Sequence, residues 1–225
     1  MAYILNIETT TTNCSVSLSF DGETLVLKED YNINYSHAER LHVYIDAVLK
    51  EANIEPSQLN AIAVSKGPGS YTGLRIGVSA AKGICYALNK PLISISTLKA
   101  LAHQVQINEG VIVPMLDARR LEVYSAIFDT SYNQIRDTQA QVLDETSFIS
   151  YLNKDKVTFI GNGVAKTKEL ISHSNAIFID DKLPSANEMS QLAYAKYKKN
   201  DIEDVAYFEP YYLKDFVALK PQSKS

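Results

Sequence analysis

The chain has 225 residues, of which 46% are hydrophobic and 21% charged, and its formal net charge is −4. That is ordinary globular composition, with length for one large domain or two smaller ones sharing an interface. The acidic balance argues against a dedicated nucleic-acid surface, and no stretch approaches the ~18 apolar residues of a membrane span.

Two cysteines, Cys14 and Cys85, lie in apolar settings and read as small buried hydrophobes of a reducing compartment. The first residues lack a basic region followed by a long apolar run, so no signal peptide is read and a cytoplasmic protein without membrane contact is expected.

In chain order, Tyr3–Ile7 is a short apolar run and reads as a central strand. Cys14–Phe20 alternates, with Cys14, Val16, Leu18 and Phe20 on one face and serines on the other. Asp21-Gly22 is a hairpin turn, and Thr24–Lys28 returns as a third strand. A loop over 31–35 leads to a helix predicted for Ser36–Ala52, with Ser36 as N-cap and Glu39 three residues on. Its core stripe is Leu41, Ile45, Val48, Leu49 and Ala52, while Val43, Tyr44 and Ala47 fall on a side where charge is usual.

Ala61–Ser65 is a buried strand broken by Gly67-Pro68-Gly69. Ser70 or Thr72 can cap the helix that follows. A strand, a glycine turn and a helix N-terminus can hold an anion. This turn lacks the lysine of a P-loop and the spacing G-x-G-x-x-G, so close packing is the alternative reading of its glycines. The helix carries a core stripe, Leu74, Val78, Ala81, Cys85 and Leu88. It carries a second apolar stripe, Ile76, Ala80, Gly83, Ile84 and Ala87. Gly77 and Gly83 lower helix propensity but admit a close backbone. Either the helix is buried between two layers of its own domain, or it receives a helix from another chain.

Leu92–Ser96 is the next strand, and Thr97 caps a helix expected to run through Gln106. The element order then restarts. Val111–Leu116, Glu122–Phe128 and Gln134–Val142 are strands, and Thr146–Leu152 is a short helix. Val157–Ile160 ends in Gly161-Asn162-Gly163 before a helix over Val164–Ser172, and Ala176–Ile179 and a helix over Asn187–Lys199 follow. Both halves read as three strands, helix, strand, glycine turn, helix, strand, helix. This predicts an α/β protein of two ribonuclease-H-like lobes, residues 1–98 and 99–200, with the tail from about residue 201 to 225 packing back on the first lobe.

The residues Gly67, Pro68, Gly69, Ser70, Tyr71, Thr72, Gly73, Leu74 and Arg75 resemble a signature of the TsaB (YeaZ-like) family, which serves threonylcarbamoyladenosine modification of tRNA. A second stretch, PMLDARRLEVYSAIF over residues 114–128, resembles that family's other hallmark, and YILNIETTTTNCSVSLS and EPYYLKDFVA resemble its two ends. The resemblance implies the two-lobed fold of the actin, sugar-kinase and heat-shock-ATPase superfamily. It implies a non-catalytic subunit, a pseudo-enzyme that binds and supports a TsaD-like catalytic subunit and recruits a TsaE-like ATPase. It implies homodimers through the same helices, and tRNA contact only through partners. The partner-binding residues would then be Val43, Tyr44, Ala47, Ile76, Ala80, Gly83, Ile84 and Ala87.

Active members of that superfamily hold metal and phosphate with acids at the first strand of each lobe. Here those positions are Glu8, where the family commonly has Asp, and Asp117. Strand-end hydrogen bonding is the alternative role for both. The catalytic relative carries an H-x-x-x-H metal pair early in its second lobe; here STLKALAHQ offers only His103. His37 and His42 are five apart, which separates them on a helix. No metal site, no catalytic residue and no required cofactor are therefore expected, with weak ATP or ADP binding allowed. Arg75 and the Asp117-Ala118-Arg119-Arg120 turn read either as solvated charge or as contacts to a partner or anion. Tyr207, Phe208 and the YYLKDF segment read as packing in preference to base stacking. The alternatives to a platform protein are a small-molecule kinase or ATPase using the cleft, and a glycoprotease-like hydrolase.

Overall fold

A computed structural model describes residues 1–30 and 37–214. The predicted loop over 31–35, the Ser36 cap and the chain end from residue 215, which includes the Phe216 of YYLKDF, lie outside the described residues.

The first lobe opens with β1 (Tyr3–Glu8), β2 (Cys14–Phe20) and β3 (Glu23–Asp30), an antiparallel meander turned at Asp21-Gly22. Helix α1 (His37–Glu51), β4 (Ala61–Gly67), α2 (Tyr71–Leu88) and β5 (Leu92–Ser96) complete the sheet in the order β3-β2-β1-β4-β5. β4 and β5 run parallel to β1, so each needs a helical crossover, which α1 and α2 supply. The second lobe repeats this plan with β6 (Val111–Asp117), β7 (Glu122–Phe128), β8 (Gln134–Val142), α4 (Ile149–Leu152), β9 (Val157–Ile160), α5 (Val164–Leu170) and β10 (Ala176–Ile179). Its order, β8-β7-β6-β9-β10, is the same when read by position. Two such mixed sheets make the two ribonuclease-H-like lobes the element order predicts.

The sheet of the first lobe is covered on both faces. Leu5, Ile7, Val16, Leu18, Ile62 and Val64 pack beneath α1 and α2. Ile4, Ala61, Ala63, Ile93 and Ile95 face the other way, against Ala100 and the helix α6 (Ala186–Lys198). Between the sheets sits α3 (Thr97–Ala102), whose Leu98, Leu101 and Ala102 pack on Ile112, Ala126 and Phe128 of the second lobe.

Two expectations need correction. α3 ends at Ala102 rather than Gln106, because the next N–H groups close tight three-residue bonds and Gln104 Nε2 donates to Leu183 O. The stretch at 186–198, assigned by chain order to the second lobe, packs on the first sheet. Its seat is the serine face of β2. Ser15, Ser17 and Ser19 are buried, Ser17 Oγ donates to Ala186 O at 2.8 Å, and Ser15 Oγ accepts from Ala186 N at 2.9 Å. Asn6 Nδ2, equally buried, donates to Ser17, Ser19 and Ser190. Buried hydroxyls carry little penalty when paired this way.

The tail from residue 201 runs along the first lobe. Glu203 bridges Leu92, Lys82 Nζ donates to the carbonyls of Ala206 and Phe208, and Tyr211 N donates to Lys66 O at 2.7 Å. Phe208 packs on the core, Tyr207 is exposed, and Tyr212 lies 5.2 Å from the Tyr71 ring.

Candidate functional site

The glycine turn is built for close packing. β4 ends at Gly67, whose φ of +109° favours a residue without Cβ, and Ser70 caps α2 by accepting from Gly73 N. The loop Thr9-Thr10-Thr11 lies directly on this turn. A Cβ at Gly69 would stand 2.6 Å from Thr10 O, at Gly73 2.0 Å from Thr9 O, and at Gly77 2.3 Å from Thr9 Oγ1. Ser70 N donates to Thr10 O at 2.7 Å, and Thr9 Oγ1 donates to Gly73 O at 2.7 Å. The helix start is thus occupied by the protein's own threonines. Pro68 is buried beside them, and Thr72 is exposed without the capping role. Arg75 Nη1 donates to Tyr71 OH at 2.9 Å and stacks over that ring, so this arginine is tied to the aromatic pair Tyr71–Tyr212.

Glu8 sits at the end of β1 and is wholly buried. Its Oε1 accepts from Thr10 N at 2.6 Å and Thr10 Oγ1 at 2.5 Å, and its Oε2 accepts from Ser65 Oγ. Burial pushes its carboxyl above the ordinary range, opposed by the Ser65 and Thr10 hydrogen bonds. Every donor it meets belongs to the same knot of strand ends. Asp117, at the end of β6, is exposed; its Oδ1 accepts from Arg119 N at 2.6 Å and from Lys166 Nζ at 2.7 Å. Glu8 is thus buried and Asp117 exposed, and each is hydrogen-bonded at its own strand end. Among the described residues no group of three or more His, Cys, Asp or Glu side chains is placed to hold a metal ion.

A cleft of about 680 Å³ opens between the lobes, lined by Lys66, Ser96, Asp137, Thr138, Glu203 and Tyr211 among others. Its walls are the ends of β4 and β5, the tail and β8, and neither Glu8 nor Asp117 is among the described residues that line it. Both cysteines are free and buried, and burial pushes the Cys14 thiol up to about 11 and the Cys85 thiol up to about 12. At neutral pH neither supplies a thiolate.

The outer face of α1 and α2 is different in kind. Leu41, Ile45, Val48 and Leu49 on α1 and Leu74, Val78, Ala81 and Cys85 on α2 are buried as their spacing predicts. The second stripe is not sealed. Tyr44, Ile76, Ala80 and Ile84 are half-buried against the core edge, Ala47 is half-buried, and Gly83 and Ala87 are exposed. A Cβ at Gly83 would meet nothing within 4 Å. Val43 is 61% exposed and Tyr86 is 87% exposed. Tyr86 is absent from the two stripes because it falls between them in the helical period, yet a large aromatic beside Gly83 is itself a surface signal. Exposed apolar side chains on adjoining helices mark a contact surface more often than scattered ones do.

Residues 32–221 match the family model described as TsaD, tRNA N6-adenosine threonylcarbamoyltransferase. The chain is 30% identical to the tRNA threonylcarbamoyladenosine biosynthesis protein TsaB of Escherichia coli, over 96% of each chain. It is 29% identical to the TsaB of Haemophilus influenzae, over 96% of this chain and 95% of the relative. Among solved structures, YeaZ from Pseudomonas aeruginosa superposes with a TM-score of 0.83 at 24% identity, covering 95% of this chain and all of that one.

Proposed function

This chain belongs to the TsaB family, and from that premise we propose that it is the non-catalytic subunit of a complex that makes threonylcarbamoyladenosine at position 37 of tRNA. In this reading it binds a TsaD-like catalytic subunit through α1 and α2, supports its transfer reaction, and recruits a TsaE-like ATPase. The observation that carries the reading is the open apolar face formed by Val43, Tyr44, Ala80, Gly83, Ile84, Tyr86 and Ala87. A partner covering about 800 Å² on each side would remove that face from water. A second copy of the chain uses the same surface, so homodimer and heterodimer compete.

The chain contributes no acid, base or nucleophile to the transfer in this account. Glu8 is spent on Thr10 and Ser65, and Asp117 on Lys166 and its own turn. It requires no cofactor, and the cleft holds ATP or ADP weakly. No helix among the described residues is long and apolar enough to cross a membrane, and the reaction places the protein in the cytoplasm.

The test is co-elution with the purified catalytic subunit on size exclusion, together with tRNA modification assayed with each component omitted. Gly83→Arg places a charge where the structure has open space, and Ala80→Arg places one at the core edge. Both variants are expected to lose the heterodimer and the modification activity, with Gly83→Arg unfolding no earlier than the parent. Undiminished co-elution of Gly83→Arg would overturn the proposed interface.

A further inference from the structure

The turn between β6 and β7 presents two arginines in a way that composition does not explain. Arg119 has φ +72° and Arg120 φ +52°, a left-handed pair where turns ordinarily place Asn and Gly. Both side chains are exposed. Among the described residues neither guanidinium has an ion pair, since the two acids beside them are already taken. Asp117 pairs with Lys166, and Glu122 pairs with Lys214.

The turn is also braced from behind. Lys166, on α5, donates Nζ to Asp117 Oδ1 at 2.7 Å, to Arg120 O at 2.7 Å and to Glu122 O at 3.1 Å. Asp117 N donates to Asn162 Oδ1 at 2.9 Å, and Ala118 N to Glu122 O at 3.0 Å. A lysine side chain only 16% exposed thus fixes the backbone that carries two uncompensated cations. Rigid presentation lowers the entropy lost on binding, and a guanidinium matches the two oxygens of a phosphate.

We infer that Arg119 and Arg120 contact the phosphate backbone of the tRNA substrate directly. The inference rests on the proposed function, which supplies the polyanion, and it replaces the expectation that tRNA is met only through partners. The turn belongs to the second lobe and the α1–α2 face to the first, so the two contacts use different surfaces. Lys166 is a positioning residue here, acting through the turn it holds.

The experiment uses the assembled complex with the catalytic subunit, the ATPase and unmodified tRNA. Arg119→Ala/Arg120→Ala is compared with the parent for tRNA affinity across a salt series, for KM and kcat of modification, and for co-elution. The expected result is a rise in Kd and KM of roughly tenfold at unchanged kcat, with the slope of log Kd against log salt reduced by about 1–2. Arg119→Lys/Arg120→Lys should restore most of the salt slope, because it keeps both charges. An unchanged KM and salt slope in the alanine variant overturns the inference. So does loss of co-elution, which would make the turn a protein contact. Failure of the parent chain to stimulate modification at all would instead count against the proposed function.

Discussion

The two lobes share one sheet order and one glycine turn, and differ in what they do with the same positions. In the first lobe the crossover helices run 15 and 18 residues, and they overhang the sheet with an apolar face to spare. In the second lobe the corresponding α4 and α5 have only 4 and 7 residues. The acid at the end of the first strand follows the same division. Glu8 is buried under a threonine loop, whereas Asp117 stands in solvent and organises a charged turn. One sheet order thus carries an exposed apolar helix face in the first lobe and a braced, charged turn in the second.

The sharpest way to break the comparison is within one helix. Gly73→Ala forces a methyl group to 2.0 Å from Thr9 O, a backbone atom that cannot swing away. Overpacking of that severity is expected to cost about 3 kcal/mol, lowering the thermal midpoint by roughly 10 °C for a chain this size. Ten residues on, Gly83→Ala meets open space and should raise stability by about 0.5–1 kcal/mol through helix propensity. Equal effects at the two glycines, measured by thermal unfolding, would show that α2 is not divided into a packed and an open side.

A smaller contrast lies at the two strand ends. Glu8→Ala strands Thr10 N, Thr10 Oγ1 and Ser65 Oγ in the interior, and buried donors without partners should lower stability by about 2 kcal/mol. Asp117→Ala removes a half-exposed ion pair with Lys166 and one turn hydrogen bond, which after solvent screening is worth roughly 0.5–1 kcal/mol. Denaturant midpoints of the two variants check the order. A reversed order would mean that the second acid, and not the first, is structural.

Much of this was legible in the chain before its structure. Apolar runs and turn residues locate the strands to within two residues, because buried strands are short, β-branched and bounded by glycine or asparagine. The second stripe on α2 was visible for the same reason, since Ile76, Ala80 and Ile84 keep the helical period. What periodicity missed was contact at long range. Alternation puts Ser15, Ser17 and Ser19 together on the polar face of β2 but does not say what lies against it, and α6 covers them through hydrogen bonds spanning about 170 residues of chain. Hydroxyls satisfied by a helix and hydroxyls satisfied by water look alike in a sequence. The same limit hid Lys166, one lysine among many until its three oxygen partners are seen.

The smallest effect concerns pH. Burial holds the Glu8 carboxyl above its ordinary value of 4.5 in the folded chain. As pH rises past about 4.5, the unfolded chain releases that proton while the folded chain retains it. Ionisation therefore favours unfolding, and this group's share of stability falls until the pH passes its folded value. His37 and His103 act in the opposite direction and in another window. Burial lowers both from 6.5, so the unfolded chain takes up protons first and stability falls as pH drops below about 6.5. Glu8→Gln removes the first effect and leaves the second, and Ser65 Oγ can rotate to accept from the new amide. Subtracting the two stability curves thus isolates the carboxyl: the variant should gain on the parent as pH rises from about 4.5, and the gain should level off once the buried acid ionises. A difference that stays level from pH 4 to 8 would mean that Glu8 reaches water as Asp117 does, and the two strand ends would no longer be distinct.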